Sequence, residues 1–417
     1  MCTPITDAAA FHSSGISAIH HRNNIPLQCQ LDSVRELEEF TLYDERWAMQ
    51  VSFTVDSLNH RKNVTRRRRR FGDPAMLSRP RILVVRDFML DLSLDDISDE
   101  LRNRGYHVER GPRLLPDAGA ETYAINLSRR LHKIDVVLTT NRTKLSRELI
   151  YAATRLRGIV FPAIGTESAD LSAANERAIV VAHGPTPENF NALAEATVML
   201  ILSLMYDFNG AQRVLRENLP RPAQMRAKML KGKTVGLIGL GRIGRAIATR
   251  LQNWDVDVVA YGPRLAASDL PSHVRAVSLD ELLGISDIVS LHATLIADNF
   301  HLLDERRLRL MKPTAYLVNT ARGGLIDERA LVRLLSEGGI AGAALDTFEQ
   351  EPLGEAHPLR SLSNVILTPH MVGLTREIFD AIPLAAVENI TRIVEGNSPL
   401  YCKNPDVLPR WRQRVGF

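Results

Sequence analysis

An α/β protein with two doubly wound, parallel-sheet domains is predicted for this 417-residue chain. Three observations predict it. From residue 80 onward, apolar runs of strand length alternate with helix-length amphipathic stretches, the pattern of a parallel sheet covered on both faces. A long apolar helix and a polar break at Leu219-Pro-Arg-Pro222 interrupt that alternation once, after which it begins again. The restart carries G-x-G-x-x-G between an apolar run and an amphipathic stretch.

The elements follow in order. Residues 1–79 show no sustained hydrophobic period and are read as a disordered extension, with Met76 as an alternative start. The first strand series is Arg81–Val85, His107–Glu109, Asp135–Thr139, Gly158–Phe161 and Ile179–Ala182, with helices such as Ser93–Arg104 and Leu145–Leu156 between. A single long helix is expected from Asn191 to about Val214. The second series is Thr234–Ile238, Val256–Tyr261, Ile288–Leu291, Ala315–Asn319, Gly342–Leu345 and Val365–Thr368, and a last helix spans Ala381–Glu395. With no further strands after it, that helix is expected to return to the first domain. The organisation is therefore 80–190 with 374–417 as a substrate domain and 191–373 as a dinucleotide-binding domain.

Bulk composition narrows the classes of function. Hydrophobic residues make up 45% and charged residues 24%, ordinary for a globular protein. No apolar run reaches the roughly 18 residues that span a membrane, and the N-terminus lacks a basic start followed by an apolar stretch, so no secretory signal is read. Cys2, Cys29 and Cys402 are odd in number and far apart. They suggest neither a disulfide framework nor a metal site, and a reducing cytoplasm is expected. The formal charge is +4, and the run Arg66–Arg70 alone supplies five positive charges. Without it the body is slightly acidic, which gives no support to nucleic-acid binding. The run itself is read as a solvated segment.

The fingerprint is Gly239-Leu-Gly241-Arg-Ile-Gly244. Gly239 permits the tight turn, Gly241 lets a pyrophosphate approach the backbone, and Gly244 lets the helix pack close to the strand. The phosphates would sit on the helix N-terminus. A glycine-rich turn that binds nothing is the plain alternative.

Three polar groups lie just past predicted strands, where doubly wound sheets line their ligand crevice. They are Arg322 in Asn319-Thr-Ala-Arg322-Gly-Gly-Leu-Ile-Asp327, Asp346 followed by Glu351, and His370 in Thr368-Pro-His370-Met-Val-Gly373. An arginine fork can hold a substrate carboxylate or polarise a carbonyl. An imidazolium can donate a proton as hydride reaches the carbon, and a carboxylate can orient it. Singly, each residue also reads as an ordinary loop or surface group. Their placement on three successive strand ends favours a common site.

From about Ile134 to Ile393 the chain resembles the D-isomer-specific 2-hydroxyacid dehydrogenases, most strongly in Gly239–Gly244, Asn319–Asp327, Gly342–Pro352 and Thr368–Gly373. The resemblance implies a flavodoxin-like substrate domain and a Rossmann dinucleotide domain. It implies hydride transfer between NAD or NADP and a small 2-oxo or D-2-hydroxy acid, and a homodimer. It further implies Arg322, Glu351 and His370 as the catalytic set, with Asp346 near the nicotinamide. Arg242, Ile243, Thr320, Ala321 and Gly373 would line the cofactor, and the amides of Ile164, Gly165 and Thr166 would take the substrate carboxylate.

The chain departs from the family pattern at several positions. Gly262 stands where an acidic residue commonly binds the ribose hydroxyls; with Arg264 nearby, this favours NADP over NAD. His183 stands where the family often has Asn, Thr294 where it has Pro, and Leu204-Met-Tyr206-Asp207 lacks the usual arginine. These bear on the substrate pocket more than on the reaction. Two other readings compete: a dinucleotide-sensing, corepressor-like binding protein on the same fold, and another dinucleotide-dependent enzyme. The presence of all three catalytic residue types argues against both.

Overall fold

The computed structural model describes residues 80–416 except 88, 115–119, 264, 267 and 269. The extension expected at 1–79, including Met76 and Arg66–Arg70, and Arg264 lie outside the described residues.

The first sheet comprises β1 (Arg81–Asp87), β2 (His107–Leu114), β3 (Val136–Leu138), β4 (Gly158–Val160) and β5 (Val180–Ala182). Its strands are all parallel, in the order β2-β1-β3-β4-β5, the flavodoxin-like arrangement. Between them run α1 (Asp91–Asn103), α2 (Ala120–Leu131), α3 (Arg147–Ala152) and α4 (Leu171–Glu176). Side chains alternate along a strand, so Ile82 and Val84 join one apolar cluster while Leu83 and Val85 join another on the opposite face. With both faces covered, β1, β3, β4 and β5 are largely apolar runs, as parallel sheets require, whereas the edge strand β2 is mostly polar in sequence.

Two helices follow, α5 (Pro187–Met205) and α6 (Phe208–Arg216). Thr186 caps α5 through the Asn189 amide, and Pro187 fills its first turn, where a missing N–H costs nothing. The single helix expected over Asn191–Val214 is in fact this pair, bent by 61°. The break falls at Asp207, whose φ is +47°. A Cβ at Gly210 would lie 2.4 Å from Asp207 Oδ1, so the glycine leaves room for that carboxylate. No single helix among the described residues is long and apolar enough to cross a membrane.

The second sheet comprises β6 (Thr234–Ile238), β7 (Asp257–Tyr261), β8 (Val274–Ala276), β9 (Ile288–Leu291), β10 (Tyr316–Asn319), β11 (Gly342–Leu345) and β12 (Val365–Leu367). Their order is β12-β11-β10-β9-β6-β7-β8, and every pairing is parallel. The chain winds outward from β6 in one direction and from β9 in the other, so the topological switch point lies between them. Helices α7 (Arg242–Leu251), α8 (Leu279–Ile285), α9 (Glu305–Leu308) and α10 (Glu328–Ser336) complete this unit. Strand β8 was not expected: only Val274 of its three residues is buried, too little for a periodic signal.

The chain then returns to the first sheet. Helix α11 (Arg376–Val394) starts earlier than the expected Ala381 and packs with α1 on one face of that sheet. Helix α12 (Leu408–Val415) was not anticipated. Its Trp411 is fully buried and donates from Nε1 to the Arg157 carbonyl at 2.8 Å. Arg414 donates to the carbonyls of Leu156, Arg177 and Thr154. One buried tryptophan and a multiply bonded guanidinium thus dock a helix that is otherwise polar. Trp411→Ala is expected to cost about 3–5 kcal/mol, read as a lower urea midpoint at unchanged slope. An unchanged midpoint would show that α12 docks without stabilising the sheet.

Candidate active site

The fingerprint occupies the carboxyl end of β6, at the switch point. Gly239 has φ +100°, and its N–H donates to the Tyr261 carbonyl at 2.8 Å. A Cβ there would lie 2.7 Å from the His292 carbonyl carbon, so only glycine fits on both conformational and steric grounds. A Cβ at Gly244 would lie 2.3 Å from the Gly239 oxygen, which is the close helix–strand packing expected of the third glycine. Gly241 differs: a Cβ there would meet nothing within 4 Å. It is the N-cap of α7 and offers no side-chain cap, so the first-turn N–H groups are left without a side-chain acceptor beside that open space. That cradle fits the pyrophosphate of a dinucleotide.

The remaining fingerprint positions flank it. Arg242 sits with its guanidinium carbon 5.9 Å from the Tyr401 ring centroid. Ile243 is partly buried against the core beneath α7. Gly262 follows β7 directly, and a Cβ there would lie 3.0 Å from Leu265 Cγ.

At the end of β10, Asn319 shapes the turn that carries the arginine. Its Nδ2 donates to the Arg322 carbonyl at 2.9 Å, and its Oδ1 accepts from the Ala321 amide at 3.0 Å. Thr320 is buried, with its hydroxyl 3.2 Å from that of Thr197 on α5. Arg322 donates from Nη1 to the Ala321 carbonyl at 2.7 Å. Its Nε donates to Glu167 Oε1 at 3.2 Å, and Nη2 lies 3.1 Å from the same oxygen.

At the end of β11, buried Asp346 organises the histidine loop. Its Oδ1 accepts from the Thr368 hydroxyl at 2.6 Å and from the Met371 and Val372 amides at 2.9 and 3.1 Å. These bonds bracket His370, which has φ +54°, a strained conformation for a side chain of this size. His370 Nδ1 lies 2.7 Å from Glu351 Oε2. Glu351 Oε1 in turn accepts from the Phe348 amide at 3.1 Å. Gly373 packs on α5, where a Cβ would lie 2.8 Å from Leu193 Cδ1.

The expected substrate loop faces this group from the first sheet. A Cβ at Gly165 would lie 2.5 Å from Arg322 Nη2. Thr166 is buried, and the Ile164 carbonyl lies 2.8 Å from His183 Nδ1. Glu167, one residue further on, was missed in the sequence although an acidic group directly after a strand-end loop was a usable signal. It pairs with Arg322 and accepts from Asn141 Nδ2 at 3.0 Å.

The electrostatics set the carboxylates apart. Burial pushes Glu351 up, but the hydrogen bond and charge of His370, the Phe348 amide and the Arg322 charge together hold it below the usual range. Burial likewise opposes ionisation of Glu167, but the charge and hydrogen bond of Arg322, a backbone hydrogen bond and the Lys403 charge together hold it below the usual range. For Asp346 burial prevails over its three hydrogen bonds and the pKa rises. Arg322 contributes to lowering Glu351, so its charge acts on the Glu351–His370 pair.

The sequence from 198 to 372 matches the family model "D-isomer specific 2-hydroxyacid dehydrogenase, NAD binding domain". A glyoxylate reductase of Thermofilum pendens is 40% identical over 288 residues, covering 68% of this chain and 85% of that protein. The chain belongs to the D-isomer-specific 2-hydroxyacid dehydrogenases. Among solved structures, a glyoxylate reductase from Paecilomyes thermophila superposes with a TM-score of 0.70 at 27% identity, over 79% of this chain and 99% of that one. An NAD-dependent formate dehydrogenase from Staphylococcus aureus, solved with NAD, gives 0.66 at 29% identity, over 75% and 95%. This dehydrogenase is therefore an NAD(P)-dependent oxidoreductase acting on the CH–OH group of 2-hydroxy acids. The sensor reading of the same fold is not favoured.

The two glycines separate fold from cradle. Gly241→Ala is expected to stay within about 0.5 kcal/mol of the parent while weakening NAD(P)H binding. Gly244→Ala should lose about 1–3 kcal/mol from overpacking. Thermal melts and NAD(P)H fluorescence titration check both; equal stability losses would contradict the open space above Gly241.

Proposed function

We propose that this dehydrogenase reduces a small 2-oxo acid of the glyoxylate class, with Arg322, Glu351 and His370 as the catalytic set. The observation that carries the reading is the 2.7 Å contact of His370 Nδ1 with Glu351, beside an arginine that faces the substrate loop. The bound dinucleotide supplies the hydride. With Nδ1 engaged, His370 is left with Nε2 to pass a proton to the substrate oxygen. Glu351 fixes the ring's orientation through its contact with Nδ1. Arg322 polarises the carbonyl or grips the carboxylate, and the amides of Ile164, Gly165 and Thr166 receive the carboxylate from the other side. Names of relatives support glyoxylate as first substrate.

On this reading residues 80–190 and 374–417 form the substrate domain and 191–373 the dinucleotide domain, supported by the return of α11 to the first sheet. Gly239, Gly241, Arg242, Ile243 and Gly244 would hold the pyrophosphate. Thr320, Ala321, Asp346 and Gly373 line the nicotinamide end, with Asp346 also holding the His370 loop. NADP is favoured over NAD because Gly262 offers no carboxylate to repel a 2′-phosphate, with Arg264 as its candidate partner.

The assay is NAD(P)H oxidation with glyoxylate, hydroxypyruvate, pyruvate and phosphohydroxypyruvate. His370→Ala and Arg322→Ala are each expected to lower kcat by about 10²–10⁴, and kcat/KM should be higher with NADPH than with NADH. Near-parental turnover in both variants would refute the catalytic set, and a clear NADH preference would refute the cofactor choice.

A homodimer is also proposed. Helix α6 buries none of its residues, and Tyr206, Phe208, Leu215, Met225 and Met229 are all exposed around it, an apolar surface suited to a second copy. Light scattering should give twice the chain mass; a monomer at micromolar concentration would rule it out.

A further inference from the structure

We propose that His183 is a positioning residue for substrate binding: by holding the Ile164 carbonyl it aims the Gly165 N–H into the cleft beside Arg322. This deepens the reading above and rests on loop 164–166 receiving the substrate carboxylate.

A carbonyl only accepts, so the 2.8 Å contact between Ile164 O and His183 Nδ1 requires the proton on Nδ1. The peptide joining Ile164 to Gly165 is planar and trans, so its N–H points opposite to its C=O. A carbonyl tied back to His183 therefore turns the Gly165 N–H the other way. Gly165 itself lies against Arg322 and Asn141, within 2.5 and 2.0 Å of the position its Cβ would take. That N–H finds no partner among the described residues, and the glycine that carries it lies beside the Arg322 guanidinium.

The next residue repeats the arrangement. The Gly184 N–H donates to the Ala163 carbonyl at 3.0 Å, and a Cβ at 184 would lie 2.4 Å from the Pro162 oxygen. Two consecutive residues after β5 thus grip two consecutive carbonyls of the substrate loop. His183 is itself fixed. Its N–H donates to the Tyr401 carbonyl at 3.1 Å, its carbonyl accepts from Asn389 Nδ2 at 3.0 Å, and its ring meets the Tyr401 ring edge-on at 6.4 Å. Burial lowers the imidazole's pKa, which favours the neutral ring, and the carbonyl contact puts its proton on Nδ1. A backbone donor set in this way acts on the ground-state carboxylate as much as on the transition state, so its loss shows in KM rather than kcat.

The test compares His183→Ala, His183→Phe and His183→Asn in the full-length protein. Loss of one such hydrogen bond should raise KM for glyoxylate about tenfold in the Ala and Phe variants, with kcat and the dinucleotide KM near parental. His183→Asn, whose amide can donate to the same carbonyl, should recover most of the loss. Phe refills the space without a donor, so rescue by Phe rather than Asn, or an unchanged KM in Ala and Phe, would overturn the proposal. Amide hydrogen exchange of residues 163–168 gives a readout that needs no turnover. Faster exchange in Ala and Phe, but not Asn, supports the tether even if no 2-oxo acid is reduced, and that combination would fault the assigned reaction instead. Parental exchange in all three variants refutes the tether.

Discussion

Burial of the parallel strands on both faces is the constraint from which the site follows. A strand covered above and below by helices has no free face on which to carry a reactive side chain. Reactive groups are then best placed just past the strands, and parallel pairing puts all the carboxyl ends along one edge. Neighbouring order does the rest: β10, β11 and β12 lie side by side, so Arg322, Glu351 and His370 follow three adjacent strands, and Glu351 and His370 are in contact. The same edge carries the glycine turn of β6, one strand beyond β9. Close packing at that turn leaves only Gly241 facing open space.

Arg322 is the electrostatic pivot of this edge. Its guanidinium contacts Glu167 from the first sheet and also acts on Glu351 in the second. The Arg322–Glu167 pair is partly solvated, with side-chain exposures of 26% and 37%, and pairs of this kind contribute about 0–1 kcal/mol. Such a contact can preset the angle of the arginine fork at little energetic cost to exchange. Asp346 plays the complementary mechanical part: its carboxylate is occupied by the hydroxyl and amides of the histidine loop and holds His370 in a backbone conformation it would not choose alone.

Both sheets, the fingerprint and the three strand-end groups were legible in the sequence because each depends on a local pattern: an apolar run, a glycine spacing, a polar residue after a strand. What escaped notice depends on distant partners. Glu167 had a local signal in its place after a strand-end loop, but its pairing with the arginine turn of the other sheet is encoded by no spacing. The break between α5 and α6 comes from a single left-handed residue, Asp207, inside a stretch whose apolar content reads as one helix. Strand β8 offers one buried side chain. Helix α12 carries three arginines in eight residues and buries only Trp411, while Arg414 holds it through distant carbonyls, so its apolar content gave no warning.

The late return of the chain has a consequence for how the protein is made. Strands β1–β5 emerge first from the ribosome, yet α11 and α12, which cover one face of their sheet, are the last described elements to be synthesised. The unit from β6 to β12 holds its own contiguous segment and can close while that face still waits. During this interval Ile82, Val84, Val136 and Val160 have no helical cover from α11, and exposed apolar surface on an unfinished sheet is an aggregation hazard. That face of the first sheet therefore cannot be completed before the last described helices are made.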